Sequence, residues 1–226
     1  MNIDFAIRLT EILLAIAFIQ QSVEHFFGVK DERLLFLVKL VLSFLLLFGF
    51  ATKWVCILLF INAVLALIKF QGPYNGGSDR MGLLILSCLC LIHLVPSLGK
   101  YIFGYLALQL ILSYFLPGFF KVINPKWWTG QVLQELLRFS GFPATEALRK
   151  WAEYPRLLCL VSWLIILFEL FFPLTLLSQK LLILGLCLAM IFHLANTYIF
   201  GFNRFFWVWL AAYPSVLWLQ AQLFIK

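Results

Sequence analysis

Three polar side chains lie at or inside apolar runs long enough to cross a bilayer. Lys121 ends the stretch Tyr114-Phe115-Leu116-Pro117-Gly118-Phe119-Phe120-Lys121, and His193 and Asn196 lie in Phe192-His193-Leu194-Ala195-Asn196. Polar groups at that depth are expensive to hold, so each is a functional candidate by default. A lysine acts as a general base only when neutral, and an apolar pocket disfavours the ammonium. A lysine at a helix end can equally snorkel to the headgroups. His193 and Asn196 are three apart and share a helix face. From there they can stabilise developing negative charge or clamp a neighbouring helix. Glu169 is the one charge in another apolar run. It either balances Lys121 or His193, or acts as a neutral carboxyl that glues helices together.

Apolar helices must position these groups. Hydrophobic residues make up 64% of the 226 residues and charged residues 12%, against roughly a quarter in soluble domains. The mean hydropathy of +1.00 agrees. The composition predicts an all-α, polytopic integral membrane bundle. At about 20 residues per crossing it has about eight transmembrane helices, near 5–27, 34–50, 54–70, 81–95, 101–121, 157–177, 181–200 and 205–222. The whole chain reads as a single transmembrane domain with no soluble domain. Residues 126–156 read as an interfacial segment. There Trp127 and Trp128 suit a headgroup-level belt, and Val132, Leu136 and Leu137 form an apolar stripe opposite Gln134, Glu135 and Arg138. The net charge of +7 fits anionic headgroups and is no sign of nucleic-acid binding.

The first span is the most polar. Arg8 and Glu11 share a face, placed either in the interior or at the interface, while Glu24 and His25 are expected to face inward. Its polar residues and the lack of a basic leader predict a retained span rather than a cleaved signal. His93 reads as structural, and Asp79-Arg80 as a solvated loop and helix-start pair. The five cysteines lie in apolar runs without CxxC spacing, so they read as small hydrophobes. The three histidines are scattered, and no metal site is expected.

Several motifs carry a family resemblance. Tyr114-Phe115-x-x-Gly118-x-x-Lys121, then Trp127 or Trp128 and Gly130, resembles a segment of the vitamin K-dependent gamma-carboxylase membrane domain that carries its proposed catalytic base. Phe192-His193-x-x-Asn196, with Phe205 or Phe206 and Pro214 downstream, resembles the carboxylase Phe-His-x-x-Asn helix. Asn75-Gly76-Gly77-Ser78 with Gly82-Leu83 resembles its Asn-Asn-His-Ser segment. Glu169-Leu170-Phe171-Phe172-Pro173 is similar to the acidic span of bacterial members of the wider HTTM (horizontally transferred transmembrane) family. The similarity covers roughly residues 70–220.

The resemblance implies a membrane-embedded enzyme, carboxylase-like or quinol-oxygenase-like, in a multi-pass setting in the bacterial inner membrane. It puts Lys121 on the base that deprotonates a reduced quinone of menaquinol or vitamin K type, whose oxygenation generates a stronger base. His193 and Asn196 would orient a quinone oxygen, and Glu169, Asn75 and Trp128 would help hold the cofactor. Implied partners are membrane lipids, a peptide or small-molecule substrate, and a partner protein. Two other readings stand beside it: a non-catalytic accessory for peptide maturation or export, and a small proton-coupled transporter. Gly77 stands where the carboxylase has a functional histidine, and the large lumenal domain has no counterpart here, so true glutamate carboxylation is expected to be weak or absent. Loop charges place the N-terminus outside, whereas the resemblance implies a cytoplasmic N-terminus with Lys121 facing the lumen or periplasm. As a helix-end residue, Lys121 should be removable with little change in stability.

Overall fold

The computed structural model describes residues 1–26, 33–69, 76–139 and 145–224. Among the described residues there is no strand. Long helices stand where spans are expected: α1 (Ile3–Phe26), α2 (Arg33–Phe48), α3 (Thr52–Lys69), α4 (Gly77–Leu94), α5 (Gly99–Val122), α9 (Pro155–Phe171), α10 (Gln179–Phe200) and α11 (Asn203–Leu223). Between α5 and α9 lie three short helices, α6 (Pro125–Trp128), α7 (Gln131–Phe139) and α8 (Glu146–Arg149).

Five of these helices are long and apolar enough to cross a membrane: α3, α4, α5, α9 and α10. The protein is therefore an all-helical, integral, multi-pass membrane protein. Of the eight expected crossings, these five meet the demands of length and apolarity. α1 carries Asp4, Arg8, Glu11 and Glu24, and α11 begins Asn203-Arg204 and ends in a glutamine-bearing turn. α2 has 16 residues, about 24 Å of helix against a hydrocarbon core of about 30 Å.

Two compact units divide the chain: Met1–Leu108 with Arg204–Lys226, and Gln109–Asn203. α5 runs from the first into the second. In the first unit, α1 packs on α2, α2 on α3, α3 on α4, and α4 returns to α1. Thr10, Glu11, Gln21, Lys39, Ser43 and Asn62 are buried there, while Leu34, Phe48, Trp54 and Ile68 are exposed. This inversion of the usual pattern is what a lipid-facing exterior requires: polar groups must find partners inside. Ser22 and Ser43 do so by donating to the carbonyls of Phe18 and Lys39, one turn back.

Glu11 settles in the interior at 2% exposure. It accepts from Arg8 at 2.8 Å and meets His93 Nε2 at 2.7 Å. Arg8 also donates to the carbonyls of Leu46 and Leu47 at 2.9 and 2.6 Å. It thereby caps the C-terminal end of α2, where orphan carbonyls and the helix dipole favour a cation. Of Glu24 and His25, both expected inside, Glu24 is exposed and His25 is half-buried against the Phe36 ring, and both meet Arg204.

In the second unit, α7 has nine residues, about 14 Å, too short to cross. Its apolar stripe is divided. Leu133 and Leu137, four apart, pack with Ala152, Leu158, Ile199 and Phe200. Leu136 and Phe139 stay exposed, on the adjacent face that also carries Val132. The span expected at 157–177 is α-helical to Phe171 and continues as a 3-10 stretch, Phe172–Leu177, because Pro173 cannot donate to the α-helical ladder.

Candidate functional site

The long helices α5, α9 and α10 each turn one stripe inward in the second unit. On α5 the buried positions Tyr114 and Gly118 are followed by half-buried Lys121. On α9 they are Ser162, Ile166 and Glu169, and on α10 Leu186, Ala189 and His193, with half-buried Asn196 beyond. Spacings of three and four put each set on one face. The motif residues are therefore the inner faces of their helices.

Gly118 lets α5 and α9 touch. A Cβ there would lie 2.6 Å from the Leu170 nitrogen and 2.9 Å from the Glu169 carbonyl carbon. One turn further on, Lys121 Nζ donates to Glu169 Oε2. Glu169 is 4% exposed and the Lys121 side chain 15%, so the ion pair is internal. Lys121 is in the last turn of α5, where the helix dipole favours a cation.

The Trp127 ring lies over the ammonium, its centroid 5.0 Å from Nζ, a cation–π contact. Local structure fixes that ring. α5 ends at Val122, and Asn124 caps α6 by accepting from the Lys126 amide at 3.1 Å. The Trp127 carbonyl then accepts from Ser162 Oγ at 2.5 Å. Gly130, at φ +74, presses against α9, where a Cβ would lie 2.5 Å from the Cys159 nitrogen. Only glycine meets both demands easily.

Two turns back along α5, the Tyr114 hydroxyl meets His193 Nε2 at 3.0 Å. Phe172 lies 4.2 Å from the Tyr114 ring and Phe168 5.7 Å, centroid to centroid. Phe192 flanks His193 at 5.3 Å. Tyr114 and Lys121 are seven residues apart, about 10 Å along the helix. The polar groups thus form two contacts on one α5 face, Lys121–Glu169 and Tyr114–His193, with aromatic rings around each.

Of the residues singled out from sequence, Lys121 and Glu169 are brought together. His193 meets Tyr114, which carried no role beyond its place in a motif. Asn196 follows on the His193 face, and its backbone carbonyl accepts from Gly201 in the α10 cap. Trp128 points elsewhere: its Nε1 donates to the Val122 carbonyl at 2.7 Å, so Trp127 is the tryptophan beside the lysine. Asn75 lies outside the described residues. At Gly77, a Cβ would lie 3.1 Å from the Phe205 ring, so a histidine there would have to displace that ring.

Sequence reading missed a polar cluster in the first unit. Lys39 Nζ donates to Gln21 Oε1 at 2.5 Å, and Gln21 Nε2 donates to Asp79 Oδ1 at 2.9 Å. The signal was available, since Lys39 interrupts the run Leu34-Leu35-Phe36-Leu37-Val38-Lys39-Leu40-Val41-Leu42.

The inward stripes, the internal ion pair and the apolar exterior define a helical membrane protein with its polar chemistry between helices. A family model described as the HTTM domain matches residues 93–220, more than half of the chain. The protein belongs to the HTTM family. No curated protein and no solved structure matches the chain.

Proposed function

We propose that this HTTM protein is a membrane-embedded enzyme that takes a proton from an apolar, quinol-type or lipid-like substrate at Lys121. The observation that carries this reading is the internal Lys121–Glu169 pair beneath Trp127. An ammonium–carboxylate pair and an amine–carboxylic acid pair differ by the position of one proton, and a low-dielectric interior narrows the gap between them. In the second form Lys121 Nζ is a free base. It can accept a proton from an acidic hydroxyl while Glu169 stays beside the ammonium that results. Tyr114 and His193 supply a second hydrogen-bonding group on the same α5 face, suited to orienting an oxygen. Asn196 would extend the His193 face of α10.

The donor set fits a reduced quinone. Two hydrogen-bonding sites stand among aromatic side chains, as a flat ring with polar oxygens requires. Lys121 and Glu169 would meet one hydroxyl, with Tyr114 and His193 toward the other. Such a cofactor supplies a weakly acidic hydroxyl and a redox-active ring. The setting we propose is the bacterial inner membrane, with 126–156 at headgroup level. Exposed Trp128, Trp151 and Tyr154 support that placement.

The test uses the full chain purified into nanodiscs. Mass spectrometry identifies bound small molecules, and menaquinol-dependent oxygen uptake is compared between wild type and Lys121→Arg. The expected result is a co-purifying quinone and uptake that Lys121→Arg abolishes, since guanidinium remains charged. Absence of a bound quinone, together with uptake indifferent to Lys121→Arg, refutes the proposal.

The same pair favours a second reading, a non-catalytic accessory in which Lys121–Glu169 only clamps α5 to α9. Arginine preserves a clamp, so that reading expects Lys121→Arg to keep full biological function.

A further inference from the structure

Lys39 lies midway along α2 and is 8% exposed. Its side chain lines a partly open cavity of about 50 Å³ among α1, α2, α3, α4 and α11 of the first unit. A buried ammonium needs partners for three N–H groups. Gln21 Oε1 takes one at 2.5 Å. The face of Phe18, 3.9 Å from Nζ, takes another by cation–π attraction. Among the described residues no acceptor faces the third.

The other polar groups on the cavity wall are committed elsewhere. Asp79 accepts from Gln21 through Oδ1. Its Oδ2 is turned to the head of α4, 3.4 Å from where a Cβ on Gly76 would stand, and helix starts favour negative charge. Arg204 is engaged by Glu24 at 3.1 Å and His25 at 2.5 Å. Asn62 donates to the Leu35 carbonyl at 3.1 Å. What remains is donor capacity: the Lys39 ammonium and the hydroxyl of buried Ser78. Among the described residues no carboxylate pairs directly with Lys39, because the Gln21 amide stands between it and Asp79.

Size narrows the ligand. Benzene occupies an engineered cavity of about 150 Å³, and one water fills about 30 Å³ of liquid. A cavity of about 50 Å³ excludes a quinone ring and admits an object of one or two water volumes. We propose that the Lys39 cavity binds a compact monovalent anion of halide size. The Lys39 ammonium is its counter-charge and Ser78 its second donor. This site is independent of the chemistry proposed for Lys121.

The experiment measures thermal unfolding of the full chain in nanodiscs. Sodium chloride, bromide and gluconate are titrated at constant ionic strength. Chloride and bromide should raise the midpoint saturably, while gluconate, too bulky for the cavity, should not. Lys39→Met should raise the half-saturating concentration by at least about tenfold, as expected for losing a hydrogen bond to a charged group. Ser78→Ala leaves the ammonium in place and should raise it less, so it serves if Lys39→Met does not fold. Bromide-soaked crystals should show an anomalous peak in contact with Lys39 Nζ. Equal effects of gluconate and chloride, an anion response unchanged in both variants, or no bromide peak beside Lys39 overturns the proposal.

Discussion

The Lys121–Glu169 pair gives a stability prediction that reverses the expectation from sequence. As a helix-end lysine, Lys121 looked removable at little cost. In the structure it answers a carboxyl that is 4% exposed, and its own side chain is 15% exposed. Exposed pairs contribute about 0–1 kcal/mol. Removing one partner of a buried pair costs about 3–5 kcal/mol, because the other charge is stranded. Glu169 can relieve part of that penalty by taking a proton, so Lys121→Ala should cost about 3 kcal/mol, the low end. Glu169→Leu should cost less, since the Lys121 stem can swing its ammonium toward the headgroups. The double variant Lys121→Met/Glu169→Leu should recover most of the loss, because a well-packed apolar pair often matches a buried ion pair. Lys121→Arg should remain near wild type.

The assay is equilibrium unfolding in mixed micelles titrated with SDS, with wild type, Lys121→Met, Glu169→Leu and the double variant compared as a double-mutant cycle. The cycle should show a coupling energy well above about 1 kcal/mol, the ceiling for exposed pairs. If Lys121→Ala lies within about 1 kcal/mol of wild type, or the double variant is no more stable than Lys121→Ala, the pair is solvated and the buried-pair reasoning is wrong.

Other positions give sharper local tests. Gly118→Ala sets a Cβ 2.6 Å from the Leu170 backbone nitrogen, which cannot yield, so it should cost at least about 1–3 kcal/mol by overpacking; an unchanged melting midpoint refutes the close approach of α5 and α9. Tyr114→Phe removes the hydroxyl facing His193 and should cost about 1 kcal/mol; no loss in the same unfolding assay would show that the contact is not formed. Glu11→Gln weakens charge-assisted bonds to Arg8 and His93 and should cost about 2 kcal/mol; a melting midpoint equal to wild type would mean that Glu11 is solvated rather than interior.

Helix positions were legible because apolar runs and their punctuation are local. Asn124-Pro125 stops α5 at Val122, since the residue before proline disfavours helix. Gly49 and Ala51, both at positive φ, make the turn before Thr52. The inward faces were legible too, because Tyr114, Gly118 and Lys121 repeat at helical spacing. Partner choice was not, since it depends on how helices rotate against one another. Spacing alone allowed Glu169 to answer either Lys121 or His193. Contact at Gly118 selects Lys121, and the tyrosine one turn below Gly118 takes the histidine. The choice between Trp127 and Trp128 was likewise set at a distance, by Ser162 holding the Trp127 carbonyl. Five helices meet the demands of length and composition for a crossing, while α1 with its charges and α2 with its 16 residues do not.

Lys39 shows where motif-led reading loses information. Depth in an apolar run marked Lys121 as a candidate, and the same rule applies with more force to Lys39, which lies midway along α2 rather than at a helix end. The two lysines then part by their partners. Lys121 touches a carboxylate directly, so one proton can move between two bases without changing the charge of the pair. Lys39 touches an amide oxygen and a ring face, neither of which can take its proton or cancel its charge. A base needs the first arrangement. The second places an ammonium beside a small cavity with no base to take its proton, which suits the binding of an anion. The pattern of partners, more than the burial of either lysine, separates the proton transfer proposed for Lys121 from the anion binding proposed for Lys39.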